Sequence, residues 1–169
     1  MKAHRLSVVC ALILFTTAAF AQKQGVIFLV RHAERADTGG DAALLNSTGE
    51  KRAQCLAKTL DGAGIQKIYV TDIQRTQQTA APLAQELHLQ PTVIPKKDLS
   101  ELLRDLRETR TQHVLVVGHA DTLPEIVQRL GVGTIPPSPQ QDYDRMIIIP
   151  VIHGKLQPMI TIHYCPAAP

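Results

Sequence analysis

Five consecutive apolar residues, Val26-Ile27-Phe28-Leu29-Val30, run straight into Arg31, His32, Ala33 and Glu34. A short run with no polar alternation reads as a buried strand. Its end presents an arginine and a histidine side by side. The planar donor fork of Arg31 suits phosphate oxygens, and His32 offers a ring nitrogen as nucleophile or base. Two more such runs follow. Lys67-Ile68-Tyr69-Val70 leads into Thr71-Asp72-Ile73-Gln74-Arg75-Thr76-Gln77-Gln78-Thr79-Ala80, and His113-Val114-Leu115-Val116-Val117 ends in Gly118-His119. Three strand ends therefore deliver two arginines and two histidines.

Between these runs the period changes to that of a helix. Ser47-x-x-Glu50 predicts a capping box that opens a helix with Ala53, Leu56 and Leu60 on one face, stopped by Asp61-Gly62-Ala63-Gly64. A second helix is expected from about Ile73 to Leu87. After a short strand at Thr92-Val93-Ile94, Asp98-x-x-Glu101 caps a helix carrying Leu102, Leu103 and Leu106. Thr122-x-x-Glu125, with Pro124, opens another that ends near Gly131. Arg145 to Ile152 and Pro158 to Tyr164 flank His153-Gly154-Lys155 and predict a terminal hairpin. Such alternation implies an α/β fold: a three-layer sandwich with a mostly parallel central sheet and helices on both faces, since parallel neighbours need crossover helices. Sites in such sheets lie beyond the carboxyl ends of the strands, where all three motifs fall.

On these residues the chain resembles the histidine phosphatase superfamily, also called phosphoglycerate mutase-like, and within it the compact branch that includes bacterial phosphohistidine phosphatases. The resemblance spans about Val26 to Tyr164. It rests on Arg31-His32-Ala33-Glu34, on Thr71-x-x-x-Arg75-x-x-x-Thr79-Ala80 and on Gly118-His119, in the family's order. It implies that His32 is the nucleophile and is transiently phosphorylated, with Arg31, Arg75 and His119 around the phosphoryl oxygens. It implies a small phosphorylated substrate and neither metal nor cofactor. Ala33 replaces the glycine that many members carry, and Asp121 stands where a neutral polar residue is common. No clear glutamate-bearing loop matches the general acid of the larger mutases. The candidate proton donors are Asp98, favoured because it follows the third strand, then Asp121, with Glu34 third. Asp98 and Asp121 both also fit as helix caps.

Lys2, His4 and Arg5 precede an apolar stretch from Leu6 to Phe20, and Ala19-Phe20-Ala21 fits a cleavage site. Residues 1–21 are thus expected to be an export signal and 22–169 a single domain beginning at Gln22, periplasmic or secreted. The stretch is short for a permanent span of about twenty residues, so no stable membrane association is expected after cleavage. Without Lys2 and Arg5 the chain is nearly neutral. No basic block or basic-aromatic alternation suggests nucleic acid, and only three Tyr and three Phe occur. Cys55 and Cys165 lack metal or redox spacing; a buried free thiol is expected at Cys55. His88, His113, His153 and His163 show no spacing for a metal site. The sequence leaves the oligomeric state open.

The expected function is an exported, metal-independent phosphatase acting on a phosphomonoester or phosphoramidate through a phosphohistidine intermediate. The alternatives are a phosphate-ligand binding protein with negligible turnover and a phosphoglycerate mutase-type phosphotransferase.

Overall fold

The computed structural model describes residues 24–108, 111–136 and 142–165. The expected leader, its cleavage site and the new terminus at Gln22 lie outside them. The strands are β1 (Gln24–Arg31), β2 (Ile65–Thr71), β3 (Thr92–Ile94), β4 (His113–Gly118), β5 (Arg145–Ile152), β6 (Lys155–Leu156) and β7 (Ile160–His163). The helices are α1 (Ser47–Thr59), α2 (Gln74–Glu86), α3 (Ser100–Glu108) and α4 (Thr122–Leu130). Among the described residues no helix is long and apolar enough to cross a membrane.

The strands form one sheet in the order β3-β2-β4-β1-β5-β6, with β7 also paired to β5. Strands β3, β2, β4 and β1 are mutually parallel. Strand β5 runs antiparallel to β1, with Val30 opposite Met146 and Gln24 opposite Ile152, and β6 and β7 are antiparallel to β5. The sheet is therefore mixed, where the sequence suggested mostly parallel. The reason lies after α4: the chain from Gly131 returns to the carboxyl end of the sheet before β5 begins, so β5 descends beside β1. This direction has a consequence for the site. It sets the residues just before β5 next to the end of β1.

Successive side chains on a strand point to opposite faces, and the two faces build two cores. Ile27, Leu29, Tyr69, Val114, Val116, Ile147 and Ile149 pack with Leu102, Leu103 and Leu106 of α3 and Ile126 and Val127 of α4. Val30, Ile68, Val70, Leu115, Val117 and Met146 pack with Leu56 of α1, Ala80 and Leu83 of α2, and Tyr164. Helices thus cover both faces, and the uninterrupted apolar runs are explained, since β1 and β4 are buried on both sides. Leu56 is fully buried; truncating such a side chain to alanine costs about 2–5 kcal/mol.

Local expectations change at α1, at Cys55 and at α4, where Asp121 rather than Thr122 holds the N-cap position. The cap of α1 is Asn46, whose Oδ1 accepts the Gly49 amide at 2.9 Å, rather than Ser47. Asn46 is fixed one residue earlier because its amide nitrogen donates to the Glu34 carbonyl at 3.0 Å and its side chain donates to the Arg35 carbonyl at 3.1 Å. Cys55 is not a free thiol. It is joined to Cys165 by a disulfide with the Cα atoms 6.2 Å apart, a pairing set by the return of the chain end to α1 after β7.

Candidate active site

The end of β1 is held in place from two sides. The His32 amide donates to the Gly118 carbonyl at 2.9 Å, and the Ala33 amide donates to the Thr79 hydroxyl at 2.9 Å, which itself donates to the Arg75 carbonyl at 2.7 Å. The second motif thus anchors the first. Ala33 is fully buried and packs with Leu45 and Ala53, so its methyl group fits where a glycine is common.

His32 is 3% exposed, and its Nδ1 lies 2.8 Å from the Ala33 carbonyl. A carbonyl only accepts, so Nδ1 carries the proton and Nε2 keeps its lone pair. His119, also 3% exposed, sits with its ring centroid 5.2 Å from that of His32. Its Nε2 is 2.9 Å from the Thr71 hydroxyl, and its buried Nδ1 has no hydrogen-bond partner among the described residues. Burial first, and then the charges of Arg75 and its neighbours, push His32 down to about 3 and His119 down to about 4. Both rings are neutral at neutral pH in the ligand-free protein.

Arg75, in the first turn of α2, is only 6% exposed. Its terminal nitrogens donate to the Asp41 carbonyl at 3.2 Å and to the Asp41 carboxylate at 3.3 Å, while its buried Nε has no partner among the described residues. The Gly39-Gly40-Asp41 loop, where both glycines adopt positive φ, therefore reaches over the strand ends. Arg31 extends its guanidinium over the ring of Tyr143, 4.2 Å from the centroid.

These groups line one cleft of about 530 Å³, with Arg31, His32, Arg35, Asp41, Arg75, Lys96, His119 and Asp121 on its walls. The structure thus brings together four of the five expected site residues. Asp98 does not line the cleft. It is exposed, and its carboxylate accepts the Ser100 amide at 2.9 Å at the entry to α3, the capping role. That hydrogen bond holds its carboxyl below the usual range. Asp121 does line the cleft, but its carboxylate pairs with Lys96 at 3.1 Å; burial would raise it, and Lys96 outweighs that and holds it below the ordinary value. Glu34 is committed to Arg52, with contacts of 2.6–2.9 Å. Among the described residues, no carboxyl stands in the cleft ready to give a proton at neutral pH.

Arg35, Asp41, Lys96 and Tyr143 were not singled out from the sequence. Lys96 follows the short β3, and Tyr143 precedes β5; only the mixed sheet brings the latter to β1. His163 has unexpected company as well. Its ring, Asp144 and Asp142 place their ligand atoms within 4.8 Å of one another. Asp144 already pairs with His163 at 2.8 Å and Asp142 with Arg145, so each carboxylate already has a partner.

Comparison with known proteins follows the same lines. Residues 27–102 match the family model of the histidine phosphatase superfamily, branch 1. A probable phosphoglycerate mutase, GpmB, of Yersinia enterocolitica is 31% identical over 116 residues, 65% of this chain and 53% of that protein; the chain spans about half the length of this curated relative. Among solved structures, the protein histidine phosphatase SixA complexed with tungstate aligns with TM-score 0.64 at 19% identity, over 82% of this chain and 96% of that one. The alpha-ribazole phosphatase from Shigella flexneri aligns with TM-score 0.61 at 18% identity, over 78% and 93%. At such identities the likeness is one of fold.

Proposed function

The chain belongs to the histidine phosphatase superfamily, and on that footing we propose that it is a metal-independent phosphatase that forms a phosphohistidine on His32. The observation that carries this reading is the pairing of two buried histidines, 5.2 Å apart, with nitrogens of His119 and Arg75 in the same cleft that have no hydrogen-bond partner among the described residues. Buried donors without partners are costly. An anion in the cleft supplies what they lack.

In this reading Arg31 and Arg75 hold the phosphoryl oxygens and His32 Nε2 attacks phosphorus, displacing the leaving group. His119 is neutral before substrate arrives. Bound phosphate raises its affinity for a proton, so that in the complex both ring nitrogens donate, one to Thr71 and one to the phosphoryl group. Water then attacks phosphorus and regenerates His32. Two steps on one nucleophile let a single set of donors stabilise the spread charge twice.

The lack of a preformed proton donor among the described residues narrows the substrate. A phosphoramidate, or an ester of an acidic alcohol, expels its leaving group without strong acid assistance; an ordinary alkyl phosphate does not. We therefore favour a phosphoramidate or an activated phosphomonoester. The Cys55–Cys165 disulfide supports the expectation of export, because such bonds persist in oxidising compartments.

Rapid quench with a labelled aryl phosphate tests the mechanism. Acid-labile, base-stable label on His32, absent from His32→Ala, is the expected result; label on another residue overturns it. Activity unchanged by exhaustive chelation is expected too. Product analysis with a phosphoglycerate separates hydrolysis from mutase chemistry, which the match to the probable mutase keeps as the second reading.

A further inference from the structure

The four residues Arg31 to Glu34 are braced at both ends, and both braces lead to the same place. At one end the Arg31 guanidinium rests on Tyr143. The Tyr143 carbonyl accepts the Tyr164 hydroxyl at 3.3 Å, and Tyr164 is 3% exposed, with its amide donating to Asp144 at 2.8 Å. At the other end the Glu34 carboxylate is gripped by Arg52, whose third nitrogen donates to the Cys165 carbonyl at 2.7 Å. Arg52 is only 8% exposed, so water does not readily replace that carbonyl. Tyr164 and Cys165 therefore touch the supports of both Arg31 and Glu34, and the disulfide fastens them to α1, the helix that carries Arg52.

We propose that the disulfide-fastened segment Tyr164–Cys165 positions Arg31 and His32 for phosphoryl transfer, so that opening the Cys55–Cys165 bond slows catalysis in protein that is still folded. This rests on the phosphatase reading above. Tyr143, Arg52 and Tyr164 are positioning residues: none need touch substrate. Reduction by an external dithiol transfers two electrons to the cystine and yields two thiols and the oxidised reductant, with protons supplied by the dithiol. Cys165 is then tied to α1 only by noncovalent contacts. Misplacing reacting groups by about 1 Å costs on the order of a hundredfold in rate, which sets the scale of the effect.

The test compares oxidised and reduced protein, and Cys55→Ser, well below the melting temperature of each. Turnover of an aryl phosphate and calorimetric affinity for inorganic phosphate are both measured. The expected result is a fall of about tenfold or more in kcat, weaker phosphate binding through Arg31, and unchanged far-ultraviolet dichroism. If the reduced chain unfolds, Tyr143 decides with the disulfide intact: Tyr143→Phe keeps the ring under Arg31 and should keep the rate, whereas Tyr143→Leu should reproduce the loss. Equal rates and affinities in oxidised and folded reduced protein, or equal behaviour of the two Tyr143 variants, overturn the proposal. Absence of turnover in the oxidised protein overturns the phosphatase reading instead; phosphate affinity then still tests the bracing.

Discussion

The Thr71 hydroxyl lies 2.9 Å from His119 Nε2 and also accepts the Ile73 amide at 3.2 Å, so one side chain ties the carboxyl end of β4 to the loop that opens α2. Thr71→Val keeps the shape and removes the link. It should lower the transfer rate by about ten- to a hundredfold, short of removing a phosphoryl donor outright, because His119 loses its oriented partner. Thr71→Ser should restore most of the rate. Single-turnover kinetics on both variants check this, and equal losses would assign Thr71 to packing.

Asp98 and Asp121 give opposite tests of acid catalysis. Asp98→Asn should leave both rate and melting temperature near wild type, since asparagine caps about as well as aspartate and the residue lies off the cleft. Asp121→Asn removes a carboxylate from the cleft and frees Lys96; phosphate should bind more tightly. A loss of 10²–10⁴-fold confined to esters with poor leaving groups, in either variant, would identify a proton donor after all.

Both histidines should make the ligand-free protein acid-sensitive. Their affinity for protons is lower in the folded state, about 3 for His32 and about 4 for His119 against an ordinary 6.5, so the unfolded chain binds more protons between those values. Stability is then full above about pH 6.5 and falls as the pH drops toward 4. Melting curves from pH 7 to pH 4 should show a shallower slope for His119→Asn than for wild type. Saturating phosphate should also flatten the slope, because it lets His119 protonate while folded.

Gly49 has no room for a side chain. A Cβ there would stand 2.1 Å from the Glu34 carbonyl oxygen, which is main chain. Gly49→Ala should therefore push α1 off the Glu34 main chain, destabilise by about 1–3 kcal/mol as overpacking does, and lower turnover more than phosphate affinity. Denaturant melts with parallel kinetics measure both. No change in either would show that the loop yields freely.

The strands were legible because burial on two faces leaves an unbroken apolar signature, and the site was legible because three of those strands end in Arg31-His32, Thr71 to Arg75 and Gly118-His119. What escaped depends on contacts between distant segments. Asn46 caps α1 because Glu34 and Arg35 fix it, a relationship that local spacing between Ser47 and Glu50 does not contain. The direction of β5 follows from how the chain returns after Gly131, and with it the place of Tyr143 over Arg31. Cys55 and Cys165 are 110 residues apart, and their pairing needs the whole sheet. Asp98 was read by analogy with a region of larger relatives; its carboxylate instead accepts the amide of Ser100.

Strand β1 is made before the other strands, yet it occupies the middle of the sheet, between β4 and β5. Both of its neighbours come from the second half of the chain. Before β4 and β5 are made, Arg31 and the adjoining His32 therefore stand at the end of a strand that lacks both neighbours. Long-range pairing of this kind slows folding, and the strands that frame His32 are drawn from nearly the whole described chain. Fragments ending before Arg145 should consequently be inert whatever their helix content, since β1 then lacks β5 beside it.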